Sequence, residues 1–133
     1  APNCNSYQKV KNVLNSKSKG VYQGKIFVKD IAQKTDAYQL SKAILLSESS
    51  EFDSKPELEI YADDVKCSHG STSGSLEEDS IYYLMARGLS RKDSIKMLVS
   101  GFLNDITDSI KSTPIKKFIL DKLEKQVYEY KKH

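Results

Sequence analysis

The chain has 133 residues, 38% hydrophobic and 29% charged, which suits one ordinary globular domain with a modest core. Its formal net charge is +3, acids and bases alternate, and no basic block interleaved with aromatics points to nucleic acid. No apolar run is long enough to span a bilayer, the polar start (Pro2, Asn3, Asn5, Ser6, Gln8) does not read as a signal peptide, and two cysteines, Cys4 and Cys67, are too few for a disulfide framework.

A reducing, intracellular setting is therefore expected, with Cys4 and Cys67 pairing only if the fold brings them together. The chain begins abruptly, a few residues before a strand-like pattern, so a fragment boundary is expected there. Short β-branched and aromatic runs predict strands at Tyr7–Leu14, Val21–Val28, Tyr38–Leu46 and Leu58–Ser68. Gly20 and Gly24 flank the start of the second. Lys29 to Asp36 reads as an irregular connection, and Glu48 to Pro56 as a polar turn segment carrying Asp53, Ser54 and Pro56. The runs recur about every fifteen to twenty residues without Asn-Gly or Asp-Gly hairpin signals. Recurrent strands without tight hairpins suit a stacked arrangement such as a parallel β-helix; a small antiparallel sandwich is the alternative. The chain divides near Ser71 to Ser75, giving strands in residues 1–75 and helices in residues 76–133.

Beyond that division the apolar period lengthens. Ile81, Leu84 and Met85 form a short helical stripe, which Gly88 after Arg87 stops. Ser90, three residues before Asp93, opens a long amphipathic helix carrying Ile95, Leu98, Val99, Phe102, Leu103, Ile106 and Ile110. Thr113 and Pro114 start a third, with Ile115, Phe118, Ile119, Leu123, Val127 and Tyr130 on one face. These stripes would pack on one another, cover the end of the strand stack, where open edges need covering, or equally offer a surface to a partner protein.

Candidate chemistry centres on Cys67 and His69. Two apart on a strand, they point to one face, where a thiol and an imidazole side by side could hold a soft metal. A buried cysteine and a hydrogen-bonded histidine would give the same pattern. Structural zinc wants four ligands, and the only further donors, Cys4, Asp63 and Asp64, lack ligand spacing, so a complete site would need a second chain. Asp63 and Asp64 face opposite ways on a strand and cannot share a site. Gly70-Ser-Thr-Ser-Gly74 lacks the spacing and the lysine of a phosphate loop and reads as a flexible connector. His133, at the chain end, is expected to be disordered or part of a tag.

Several segments, in order, resemble one family. They are Gly20-Val-Tyr-Gln-Gly-Lys-Ile-Phe-Val28, Ala32-Gln-Lys-Thr-Asp-Ala-Tyr-Gln39, Ile44-Leu-Leu-Ser47 and Pro56-Glu-Leu-Glu-Ile60, followed by Ala62-Asp-Asp-Val-Lys-Cys-Ser-His-Gly70, Tyr83-Leu84 and Arg87-Gly88. Together, from about Gly20 to Phe102, they resemble the C-terminal part of the SufB/SufD family of the SUF iron–sulfur cluster assembly system. SufB-like chains tend to carry His-Glu-Ala-Thr where this one has His69-Gly70-Ser71-Thr72. They also carry a cysteine after the glutamine matched here by Gln39, whereas Leu40 follows it in this chain. The resemblance is therefore to the SufD branch, with Ser71 departing from the usual alanine.

The resemblance implies a mainly β chain: coils of a right-handed parallel β-helix in residues 1–75, then a three-helix segment in residues 76–133. It implies a heterodimer with SufB through the last strands and docking of the SufC ATPase on the helices. The contact expected there is the turn at Arg87, Gly88 and Ser90, because a stiff helix-to-helix turn is easily presented to a partner. Gly88 simply ending its helix is the competing account of that turn. It implies that His69 matches a histidine at the SufB–SufD interface where a nascent iron–sulfur cluster forms, with Cys67 as ligand, transient contact or packing. The role implied is that of a non-enzymatic scaffold in a cytoplasm or a plastid; a structural docking platform is the alternative. Family members carry more β-helix and a helical N-terminal region, so a C-terminal piece is expected, and alone it could pair with a second copy through its open strand edge.

Overall fold

The computed structural model describes residues 1–129, so the expectations for the side chain of Val127 and for Tyr130 and His133 lie outside the described residues. The chain forms two compact units, Ala1–Ser75 and Leu76–His133.

The first unit holds five strands: β1 (Asn5–Leu14), β2 (Lys19–Val28), β3 (Asp36–Leu45), β4 (Glu51–Ile60) and β5 (Lys66–Gly74). Alternate strands enter alternate sheets, β1-β3-β5 and β2-β4, and every pairing is parallel. A parallel pair cannot be closed by a tight hairpin. Here the chain crosses to the opposite sheet and returns, which explains the missing hairpin signals. The register runs straight through the three-stranded sheet: Asn5 lies opposite Asp36, and Asp36 opposite Lys66. The corners also stack, since the Ser47 and Ser49 hydroxyls both donate to the Ser16 carbonyl, at 2.6 and 2.9 Å.

Side chains alternate across each strand. On β3, Ala37, Gln39, Ser41 and Ala43 are buried, while Tyr38, Leu40 and Lys42 are half-buried on the other face. On β2, Ile26 and Val28 are buried between outward residues. Ile26, Val28, Ala37 and Ala62 form the apolar core, with Ala32, Val65 and Cys67 packed against it. Farther along the strands the interior turns polar, with Gln39 and Ser41 completely buried. The outer face of the two-stranded sheet carries ion pairs: Lys19 with Asp53 at 2.8 Å, Lys55 with Glu57 at 3.1 Å, and Lys25 with Glu59. The hydrogen bond from Lys25, then that from Tyr61, holds the Glu59 carboxyl below the usual carboxylate range.

Three sequence expectations need correction. The strand expected at Leu58–Ser68 is two: β4 ends at Ile60, residues 61–65 turn, and β5 starts at Lys66. Most of the polar turn expected at Glu48 to Pro56 is the first half of β4. Its period of two was hidden by composition: Phe52, Ser54, Pro56, Leu58 and Ile60 share one face, and Asp53, Lys55, Glu57 and Glu59 the other. Pro56 is tolerated because β4 is an edge of its sheet. Finally, Gly70 to Gly74 is not a flexible connector but the second half of β5, held in register against Leu40 to Ile44. Pairing with a neighbouring strand overrides the low strand propensity of glycine and serine.

The second unit holds α1 (Glu78–Ala86), α2 (Arg91–Thr107) and α3 (Thr113–Glu129). Ile81 and Val99, each 2% exposed, are its buried apolar residues among those described. α1 ends where Gly88 takes φ +94°, with the Gly88 amide donating to the Met85 carbonyl and the Leu89 amide to that of Leu84. That is a complete Schellman cap. Ser90 caps α2: its Oγ accepts from the Asp93 amide at 3.1 Å and donates to the Asp93 carboxylate at 2.6 Å. Ile110, expected on the stripe of α2, lies past its end, and its amide donates to the Thr107 carbonyl. No helix among the described residues is long and apolar enough to cross a membrane.

Candidate functional site

β5 is an edge strand, paired with β3 on one side only. Its register sets Cys67 opposite Ala37 and His69 opposite Gln39, both of them buried and inward-facing. Cys67 and His69 therefore share the inward row of β5, as their spacing predicts. Their surroundings differ. Cys67 is a half-buried free thiol packed against the apolar core. His69 is exposed, with no hydrogen bond or ion pair to any described residue.

The other candidate donors do not join them. Asp63 and Asp64 lie in the turn before β5, not on a strand, and both are exposed. The Asp64 amide donates to Gln33 Oε1 at 2.9 Å, which ties that turn to the one before it. Cys4 is a free thiol just before β1, on the far side of β3 from β5, and donates to the Ala1 carbonyl at 3.0 Å. Among the described residues no three of His, Cys, Asp and Glu cluster tightly enough to hold a metal ion. Among the described residues that edge thus presents two donors, half of what a tetrahedral ion requires. An imidazole there suits iron, and a thiolate suits iron–sulfur species.

Arg87, Gly88 and Ser90 lie in the other compact unit, at the junction of α1 and α2. The Arg87 guanidinium lies 4.9 Å from the centre of the Tyr83 ring. Arg91 clamps Glu78 through two hydrogen bonds of 2.8 and 2.6 Å, tying the start of α2 to the start of α1. The bond from Arg91 holds the Glu78 carboxyl below its usual range. With both helix ends capped, this turn is stiff, and Tyr82 and Tyr83 beside it are well exposed.

The family of SUF-system iron–sulfur cluster assembly proteins defined by the SufBD core domain matches residues 1–102. This chain belongs to that family. The match covers all five strands, α1 and α2 as far as Phe102, so it extends farther toward the N-terminus than the segments recognisable by eye. Among curated proteins, the chain is similar to the iron-sulfur cluster assembly protein SufD of Escherichia coli (strain K12), 38% identical over 90% of this chain and 28% of that protein. It is 28% identical to SufD of Bacillus subtilis (strain 168), over 86% of this chain and 26% of that protein. A chloroplastic protein of Arabidopsis thaliana is 36% identical over 78% of this chain and 22% of its own length. The chain thus spans about a quarter of the length of these relatives.

Sequence reasoning missed what lies around His69 in this SufBD core. Ser71 and Ser73 continue its row on β5; Gln39 faces His69 from β3, Ser41 faces Ser71 and Ala43 faces Ser73. The signal is the alternation of polar residues in Gln39-Leu-Ser41 and His69-Gly-Ser71-Thr-Ser73, which in the second segment has the composition of a connector.

Proposed function

We propose that this chain is the C-terminal part of a SufD-type scaffold subunit of the SUF machinery, and not an enzyme by itself. In this reading Ala1–Ser75 forms the last coils of a right-handed parallel β-helix and the helices form a separate docking segment. The edge of β5 pairs with SufB, which adds a strand and supplies the missing donors. SufC, the ATPase, docks on the helices, with the capped turn at Arg87, Gly88 and Ser90 as the contact. The iron or nascent cluster is cargo, held between the chains with His69 as this chain's principal donor and Cys67 as a second. The compartment is a bacterial cytoplasm or a plastid.

One observation carries the proposal: in a chain of this family, an exposed histidine stands on the inward row of an edge strand, and among the described residues neither the imidazole nor the outer side of that strand has a partner. Neutral imidazole offers one lone pair to a metal, and a strand edge offers backbone groups to a partner strand. The two functions meet at one place, so pairing there would bring a second chain's donors to the imidazole.

A purely structural platform, with all cluster chemistry in SufB, is favoured by the packing of Cys67 among apolar residues. Anaerobic cluster assembly on a complete SufB–SufC–SufD assembly separates the two readings. With His69→Ala, the cluster should fail to form while the complex stays intact. Assembly at the normal rate would overturn the ligand role and leave the platform.

A further inference from the structure

β4 and β5 are the last strands of their sheets, and among the described residues neither has a strand on its other side. In an extended strand the N–H and C=O of one residue point to the same side, and successive residues alternate. Bonds at the strand ends fix the phase of that alternation. The Glu51 amide donates to the Ser18 carbonyl at 3.0 Å and the Tyr61 amide to the Val28 carbonyl at 2.9 Å. At both ends of β4, then, the odd-numbered residues bond toward β2, and the register between them is continuous. Phe52, Ser54, Pro56, Leu58 and Ile60 therefore turn their backbone groups to the open side. On β5 the Lys66 amide donates to the Thr35 carbonyl at 2.9 Å, so there the even-numbered residues bond toward β3. Cys67, His69, Ser71 and Ser73 turn their backbone groups outward.

The two open rows are not equivalent. The row on β5 is an uninterrupted series of amides and carbonyls. The row on β4 has Pro56 at its centre, which has no N–H and sets its ring where the hydrogen would be. Because that nitrogen faces away from β2, the proline removes no bond from the native ladder. A strand laid along β4 would instead keep one of its own carbonyls without a donor in the middle of the new ladder, a costly arrangement. Proline on an edge blocks pairing in this way. We infer that Pro56 closes β4 to strand addition, so a partner chain joins this unit by one extended strand laid on β5. That strand bonds to the backbone of Cys67, His69, Ser71 and Ser73. The inference deepens the reading of β5 as the edge that pairs with SufB, and it rests on that reading. The residues that hold the partner strand by their backbone point their side chains inward. A strand in register there sets its own inward row beside Cys67 and His69.

The test is amide hydrogen exchange of the intact subunit, resolved residue by residue, alone and in the complete SufB–SufC–SufD assembly. On assembly the amides of Cys67, His69, Ser71 and Ser73 should slow by about tenfold or more, the scale of one hydrogen bond. Those of Phe52, Ser54, Leu58 and Ile60 should keep their free rates. Slowing of the β4 row together with the β5 row would overturn the closure and leave β5 as a pairing edge. If the β5 row keeps its free rate, the reading of β5 as the pairing edge falls. Pro56→Ala decides the closure independently, because it restores a donor on the side where the native ladder makes no bond. The free subunit carrying it should self-associate about tenfold more tightly than the wild type, with the β4 row slowing as concentration rises. Association and exchange equal to the wild type would overturn the closure, whatever SufB does.

Discussion

Gly24→Ala probes the crowded interior where Gln39 lies. The added Cβ would collide with Gln39 Nε2 and with the Tyr22 hydroxyl, both reached from the same position. Gln39 is completely buried and cannot swing into solvent. Overpacking of this kind costs ~1–3 kcal/mol. Displacing the amide also strains the 3.1 Å bond to Gln8, worth ~1 kcal/mol. Opposing these, alanine restricts the unfolded chain and returns about 0.4–1 kcal/mol. The net expectation is a loss of roughly 1–3 kcal/mol, at about 4–8 °C in Tm per kcal/mol for a unit of this size. Thermal unfolding of the full chain, followed in the β-sheet amide band, reads this directly, and the helical band serves as internal control. In a Gln39→Ala background the new methyl enters vacated space, so the penalty should shrink by about half, a coupling that a double-mutant cycle isolates. A Gly24→Ala chain as stable as the wild type would refute the close packing of Gln39 over Gly24.

Gly88→Ala forces a side chain to φ +94° and should destabilise the helical unit by about 1–2 kcal/mol, read as a lower urea midpoint of the helical signal. Ser90→Ala removes the α2 cap and should cost about 1 kcal/mol in the same assay. Acid should weaken both units. The Glu59 and Glu78 carboxyls are held below their usual range by Lys25 and Arg91, so their contribution is present above the unfolded carboxylate pKa and is lost as pH falls through the folded one. A pH titration of Tm should therefore fall below about pH 4, and less steeply in Glu78→Gln for the helical transition.

Much of this architecture was legible because it rests on local rules. Gly88 and Ser90 announce their caps from residue type and spacing alone. The strands β1, β2 and β3 are rich enough in apolar and aromatic residues for their period to stand out. β4 and the second half of β5 were not legible, for one physical reason. Edge strands in a parallel stack take their backbone order from the neighbouring strand, so serine, glycine and proline can occupy them without a local signal. Misreading Gly70 to Gly74 as a connector concealed the serines beyond His69. The shared face of Cys67 and His69 was legible because it needs only the period of a strand. Their different environments were not, because these depend on which end of the two-sheet interior is apolar, and Ala62 and Val28 settle that from distant positions.

That difference gives the two residues opposite signatures. Cys67 packs on the cluster of Ile26, Val28, Ala37 and Ala62, so Cys67→Ala should leave a small void and cost ~1 kcal/mol of stability. His69 is exposed and has no partner among the described residues, so His69→Ala should change stability by less than about 0.5 kcal/mol. A ligand behaves in the reverse way from a packing residue: its loss spares the fold and stops the chemistry. Measured side by side by thermal unfolding and by anaerobic assembly in the complex, His69→Ala should lose clusters with unchanged Tm. Cys67→Ala should lower Tm and reduce assembly no more than the fraction unfolded accounts for. If Cys67→Ala stops assembly with unchanged Tm, the thiol leaves its apolar seat to bind cargo, and the row supplies two donors. If both variants keep assembling, the edge of β5 serves pairing alone and every donor comes from the chain that pairs with it.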